Sequence, residues 1–234
     1  MNNLPKISVI TVVFNDKSGL ENTIKSVVNQ TYDNVEYIII DGGSTDGTLN
    51  IIRKYEHAVN HWVSEKDAGI YHAMNKGLEL STGDWVNFMN AGDMFAARHV
   101  IENIRFNRYK QSPLVYGNKI QDGKVIYPMG EKKLEYGEIM ACHQSMFFNL
   151  SASFRASVFY DLKYKIYGDY ELVNRLYLKY HGFTYVNEVI AIFEGGGVSS
   201  VISGQKRKEK YRALLQSNGF FGLLKGLLYR MIKR

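Results

Sequence analysis

The chain reads as an α/β protein, a mostly parallel sheet flanked by helices, and two observations carry that expectation. Apolar runs of strand length at residues 7–14, 35–40, 61–64 and 85–89 alternate with segments of helical spacing. Polar, glycine-rich turns such as DGGSTDGT and NAGD follow two of those runs. A βαβαβαβ order of this kind implies parallel strands with right-handed crossovers.

Taken in order, residues 7–14 form an almost continuous β-branched run, as expected of a strand buried on both faces. Ser18 and Glu21 have capping-box spacing, and Leu20, Ile24, Val27 and Val28 continue with helical periodicity. Residues 35–40 form the second strand. Leu49, Ile52 and Tyr55 open the next helix, and a short strand lies at 61–64. Asp67 is placed to cap a helix over 70–80, Gly83 interrupts, and residues 85–89 form the fourth strand. Beyond Asp93 the alternation weakens. A helix near 100–109, strands near 114–118 and 125–128, and a helix near 170–180 suggest an α+β second half. The expected organisation is one domain over 1–203, divided into halves at 1–95 and 96–203, with a tail at 204–234.

At 234 residues, 45% hydrophobic and 22% charged, the composition is that of a packed protein rather than a disordered one. Cys142 is the only cysteine, so no internal disulfide can form. The apolar run at 7–14 is too short for a secretory leader, and no run reaches the roughly 18 apolar residues of a membrane span. The expected location is cytoplasmic. Nine of the basic residues and a single acid, Glu209, fall in 204–234; that segment carries +8 of a net +6, leaving the body at −2. A near-neutral body without a basic-aromatic platform argues against a nucleic-acid binder. The tail's Phe220, Leu223, Leu224, Leu227, Leu228 and Met231 share one helical face. Such a basic amphipathic helix suits an anionic membrane surface at the inner face of the cell membrane, or else the protein core or a homodimer interface.

In open α/β sheets, ligands bind beyond the carboxyl ends of the strands. Here those ends deliver Phe14-Asn15, Asp41, Asp67 and Asn90-Ala91-Gly92-Asp93. Each is an ordinary turn residue alone; together at one edge they read as a site. Neither a GxGxxG fingerprint nor a GxxxxGK[ST] loop is present, so a divalent cation held by carboxylate is the expected handle on a diphosphate, with Asp93 the best ligand.

ISVITVVFND, VEYIIIDGGSTDGT and SEKDAGIYHAMNKGLELSTGDWVNFMNAGD, in that order over roughly 6–95, resemble the donor half of glycosyltransferase family 2, the inverting transferases of GT-A (Rossmann-like) fold. The resemblance implies a metal-dependent hexosyltransferase that takes a sugar from a nucleotide-sugar, with UDP as the expected nucleotide. It places Thr11, Phe14, Asn15, Asp41, Asp67, Asn90, Ala91 and Gly92 around the donor. It makes Asp93 the ligand for Mn²⁺ or Mg²⁺ in the family's Asp-X-Asp element, whose first acid is replaced here. Met74-Asn75 stands where an Arg-Asn pair is frequent, with Lys76 a substitute cation or a solvated one. GDYELVNRL resembles the family's acidic-aromatic motif and makes Asp169 the catalytic base, with Gly168 at the position of a frequent second acid. Asp169 also reads as a helix N-cap. His143-Gln144 resembles a pair found in the polysaccharide-assembly subgroup, so acceptor or diphosphate contacts fall to His143, Gln144, and Gly196 and Ser199 of FEGGGVSS. The implied acceptor is a glycan or a polyprenyl-diphosphate-linked sugar. A non-catalytic nucleotide-sugar or glycan-binding relative is the alternative.

Overall fold

The computed structural model describes residues 4–195 and 204–232; Gly196 and Ser199 lie outside them. The first half follows the expected alternation. β1 (Ile7–Val13), β2 (Val35–Asp41), β3 (His61–Ser64) and β4 (Trp85–Phe88) pair in parallel in the order β3-β2-β1-β4. They are linked by α1 (Lys17–Val28), α2 (Thr48–Lys54) and α3 (Ile70–Leu80). Successive residues of β1 and β2 enter different cores. Ile10, Val12, Ile38 and Ile40 pack on one face, whereas Ile7, Val9, Val13 and Ile39 pack on the other. A strand covered on both sides has no polar alternation to show, which is why these runs read as uninterrupted apolar sequence.

The second half contains β5 (Met94–Phe95), α4 (Val100–Ile104), β6 (Leu114–Gln121), β7 (Lys124–Ile126), β8 (Met146–Asn149), α5 (Gly168–Tyr180), β9 (Thr184–Ile192) and α6 (Gly204–Ile232). The sheet continues past β4 as β8-β6-β9-β5, with β7 on β6. Pairing is antiparallel at β4·β8, β6·β8, β6·β7 and β5·β9, and parallel at β6·β9. The expected mostly parallel sheet is therefore parallel only over its first four strands and mixed beyond them.

Local expectations are corrected in three places. Asp16, not the Ser18–Glu21 pair, caps α1, accepting from the Gly19 amide at 2.9 Å. Asp67 caps nothing; α3 starts after Gly69, whose φ of 124° suits glycine, and Asp67 binds Lys76 instead. The helix expected over 100–109 stops at Ile104 because Arg105 is left-handed, and a 3-10 turn at Phe106–Arg108 follows.

The basic segment is one helix broken at Gly219 (φ 66°, ψ −171°). Its first part joins the core through the buried Ala213 and Leu214. Among the described residues, no helix is long and apolar enough to cross a membrane.

Candidate donor and acceptor site

Because β1 to β4 pair in parallel, their carboxyl ends lie along one edge of the sheet. Phe14 is exposed beside Gly42, where an added Cβ would sit 3.3 Å from its ring and 3.4 Å from an Asp67 carboxylate oxygen. Asn15, at φ 51°, ties this end to the next loop: its amide donates to Ser44 Oγ at 2.7 Å, and its Oδ1 accepts from Thr45 N at 2.8 Å. Asp41 is fully buried and holds its own turn. Its Oδ2 accepts from Ser64 Oγ at 2.6 Å, Ser44 N at 3.0 Å and Gly43 N at 3.2 Å. Its Oδ1 takes only a 3.3 Å contact from Ser44 N, which leaves that oxygen acceptor capacity. Asp67 lies between His72 Nδ1 at 3.1 Å and Lys76 Nζ at 2.6 Å, and Lys76 also reaches Glu65 at 2.7 Å. Lys76 is thus a bridge between two carboxylates rather than a freely solvated cation.

Thr11 is a correction. It is fully buried, donates to the Met89 carbonyl at 2.8 Å and pairs with Tyr37 OH at 3.0 Å, so its hydroxyl is engaged in bracing β1 in the core. Met74 is equally inaccessible, and Asn75 exchanges two 2.9 Å hydrogen bonds with the Tyr160 backbone.

After β4 the chain turns through Asn90-Ala91-Gly92-Asp93. The Asp93 amide donates to Asn90 O at 3.0 Å, Ala91 N to Val12 O, and Gly92 (φ 93°) to Thr23 Oγ1. Asp93 is 7% exposed, and burial pushes its carboxyl above the ordinary value against the opposing effects of Gln144 and His143. Gln144 Nε2 donates to its Oδ2 at 2.5 Å. Among the described residues no three His, Cys, Asp or Glu side chains cluster to hold a metal. Asn90 Oδ1 and Gln144 Oε1 are, however, buried without a hydrogen-bond partner. Unpartnered amide oxygens near one carboxylate match what Mg²⁺ or Mn²⁺ accepts, since such ions take hard oxygens from few carboxylates and complete their shell with phosphate and water.

The strongest local organisation surrounds Asp169. It lies in the first turn of α5, where no side chain caps the helix, so the N-cap reading is corrected. Its Oδ2 pairs with His143 Nδ1 at 3.0 Å and its Oδ1 accepts from Tyr160 OH at 3.1 Å. His143 Nε2 faces Asn90 Nδ2 at 2.9 Å, linking the β4 turn directly to Asp169. Burial disfavours the His143 cation, but the charge and hydrogen bond of Asp169 outweigh it and leave the imidazole above its ordinary value. Tyr71 stacks on Tyr160 with centroids 4.7 Å apart, and its hydroxyl accepts from Asp169 N at 3.3 Å. Tyr71 and Tyr160, unmarked in the sequence reading, wall this carboxylate. Their one advance signal was aromatic density near the motifs, which a hydrophobic core produces equally.

Gly168 now has a physical reason: a Cβ there would come within 2.6 Å of the Tyr71 ring, so a second acid does not fit. Glu171 is occupied elsewhere, paired with Arg175 Nε at 2.8 Å.

Parallel strands delivering polar ends, a carboxylate turn after β4 and an acidic helix start beyond a mixed sheet define the GT-A class of fold. Residues 8–153 match the model of glycosyl transferase family 2, and the chain belongs to that family. An uncharacterized glycosyltransferase of Mycobacterium tuberculosis is 32% identical over 211 residues, covering 86% of this chain and 79% of its own. A PGL/p-HBAD biosynthesis glycosyltransferase of Mycobacterium bovis is 29% identical over 209 residues, covering 85% and 80%. In shape, Staphylococcus aureus TarS 1-349 in complex with UDP-GlcNAc superposes with a TM-score of 0.75 at 16% identity, covering 95% of this chain and 71% of that one. The mannosyltransferase PcManGT of Pyrobaculum calidifontis in complex with GDP-Man and Mn²⁺ gives 0.68 at 15% identity, covering 97% and 74%. The chain is a glycosyltransferase of this family with its fold.

Proposed function

We propose that the protein is an inverting, metal-dependent hexosyltransferase that moves a sugar from a nucleotide-sugar, with UDP as the nucleotide, to a glycan or polyprenyl-diphosphate-linked acceptor in cell-surface polysaccharide assembly. Its place of action is the cytoplasm, at the inner face of the cell membrane. The observation that carries the reading is the pairing of Asp169 with His143 and Tyr160, one hydrogen bond from Asn90 in the β4 turn. A half-buried, oriented carboxylate beside the expected donor site is what an acceptor hydroxyl needs. Asp169 takes the hydroxyl proton, the freed oxygen attacks C1 of the donor sugar, and the nucleoside diphosphate leaves from the opposite face. General-base help of this kind contributes roughly 10²–10⁴ in rate.

Phe14 and Asn15 flank the base and ribose, with Asp41 Oδ1 the acceptor for a nucleobase N–H and Asp67 beside them. Asn90, Ala91 and Gly92 lie against the donor, and His143 and Gln144 support the reacting end. Asp93, with the amide oxygens of Asn90 and Gln144, would hold Mn²⁺ or Mg²⁺, which when bound neutralises the charge developing on the departing diphosphate. The ligands of the two superposing transferases, UDP-GlcNAc in one and GDP-Man with Mn²⁺ in the other, support this choice of donor and ion.

The test is transfer from labelled nucleotide-sugars to a membrane extract, with calorimetry of nucleotide binding alongside. Asp169→Asn is expected to bind nucleotide normally and lose transfer by about 10² or more. Asp93→Ala is expected to lose the metal-dependent part of nucleotide binding. Parent-level transfer by both variants would remove the assignment, and tight binding with no transfer by the parent would favour the non-catalytic relative.

A further inference from the structure

The part of α6 beyond Gly219 presents to the body mainly small or polar-tipped residues, together with the partly buried Leu223, which packs against the core. Gly222 and Gly226 are buried, and an added Cβ on Gly226 would lie 2.6 Å from Leu214 and 3.4 Å from the Tyr136 carbonyl. Tyr229 packs on Tyr136 at 4.8 Å between centroids, and its hydroxyl meets Lys133 Nζ at 3.1 Å. With 3.6 residues per turn, positions 222, 226 and 229 form one stripe. The opposite side carries Phe220, Phe221, Leu224, Leu228, Met231 and Ile232, all exposed, Phe221 at 79% and Ile232 at 85%. The sequence expectation of a shared apolar face holds for most of its members, but that face points away from the core.

We propose that residues 220–232 form a membrane-docking element that lies flat in the interface of an anionic bilayer. Charge decides between occupants. The 204–234 segment holds nine basic residues and one acid, and that acid, Glu209, is buried and fully engaged by the amides of Lys165, Ile166 and Tyr167 at 2.9–3.0 Å. Arg207, Lys208, Arg212 and Lys225 remain exposed. Pairing this face with a second copy would bring two +8 segments together, whereas an anionic surface attracts both the apolar side and its cations. The element is too short to span a bilayer, which leaves the in-plane arrangement.

Its position bears on the site. The helix rests on the turn at Glu131–Tyr136, and Glu209 fixes the backbone of 165–167, immediately before Asp169. A lipid-anchored acceptor would therefore meet the base on a framework already seated at the membrane. That last step rests on the proposed function; the docking surface does not.

The experiment is sedimentation of the full-length protein with phosphatidylcholine vesicles, with and without phosphatidylglycerol, comparing the parent with Phe221→Ser/Leu224→Ser/Leu228→Ser. The parent is expected to bind only vesicles containing phosphatidylglycerol, more weakly as salt rises, and the triple variant to lose about tenfold or more of that binding. The variant's melting temperature and UDP affinity are expected to stay at parent values, because the replaced side chains face away from the body. Absence of phosphatidylglycerol-dependent binding by the parent would overturn the proposal. So would a parent dimer in light scattering that the triple variant dissolves, since the face would then belong to a second copy. Failure of the proposed transfer reaction would leave the vesicle result standing.

Discussion

At the residue scale, the tautomer of His143 follows from its neighbours. Asn90 Nδ2 is a donor, so the Nε2 it meets at 2.9 Å must accept, which puts the proton on Nδ1, aimed at Asp169. In that state Asp169 receives two hydrogen bonds as a carboxylate and keeps lone pairs for the acceptor proton. Protonating His143 adds an Nε2 hydrogen that the Asn90 amide opposes until it turns its unpartnered Oδ1 inward. The resulting ion pair holds the Asp169 carboxylate against His143 and competes with the acceptor hydroxyl for it. With the imidazole raised above its ordinary value by Asp169, transfer should fall as the pH drops through that raised value. His143→Asn is therefore expected to lower kcat by roughly tenfold or more while moving the acidic limb of the pH profile downward. Nucleotide affinity should be unchanged. An acidic limb that stays in place would assign His143 to packing alone.

At the element scale, strands covered on both faces were legible because their runs need no partner to be recognised. β9 and β5 were not. Thr184–Ile192 is mostly half-exposed, and Met94–Phe95 is a two-residue edge whose pairing is set by contacts about a hundred residues away. Asp41 and Asp93 were legible as strand-end carboxylates, but Thr11 was not legible as a brace, since a threonine in a strand looks the same whether it faces ligand or core. Glu36 was missed for the same reason. It is 2% exposed in β2 and ties three elements together: Ser8 Oγ of β1 at 2.6 Å, Thr82 N and Oγ1 before β4 at 2.8 and 2.6 Å, and Lys6 Nζ at 2.8 Å. Burial alone would raise its carboxyl; these donors outweigh burial and hold it at about 2 against the ordinary 4.5. The fold therefore favours the ionised form, and its contribution is complete above 4.5 and lost as pH falls towards 2. That shift corresponds to about 3 kcal/mol. Urea unfolding of Glu36→Gln should show most of this loss at neutral pH and a flatter acid dependence than the parent. Equal acid sensitivity of the two would place the linkage elsewhere.

At the scale of the whole molecule, the sequence suggested a seam before residue 204, where charge and composition change together. Packing places a different division inside the basic segment. Leu214 and Ala213 are fully buried in the core that also holds Tyr71, Tyr160, Tyr170 and Leu176. Asn174 Nδ2 donates to Asn218 Oδ1 at 2.8 Å, and Tyr164 OH to Gln216 at 2.6 Å. The break comes only at Gly219, where φ is 66°. A composition boundary reports solvent and charge, whereas a folding boundary reports shared burial, and here the two disagree by about one helix. Chains ending after residue 203 and after residue 218 should therefore behave differently. The shorter chain loses Leu214, whose truncation to Ala alone would cost about 2–5 kcal/mol, together with the acceptor for three amides ahead of Asp169. Against a total stability of about 5–15 kcal/mol, that loss should abolish cooperative unfolding or sharply lower the melting temperature. The longer chain gives up mainly Gly222, Gly226, the partly buried Leu223 and the Tyr229 contact, and should unfold cooperatively near the parent temperature. It should also still be stabilised by UDP, by ~2.7 kcal/mol at a hundred times the dissociation constant. Calorimetric scans of both truncations read the boundary directly. If the chain ending at 203 folded as well as the one ending at 218, the first part of α6 would be an appendage after all.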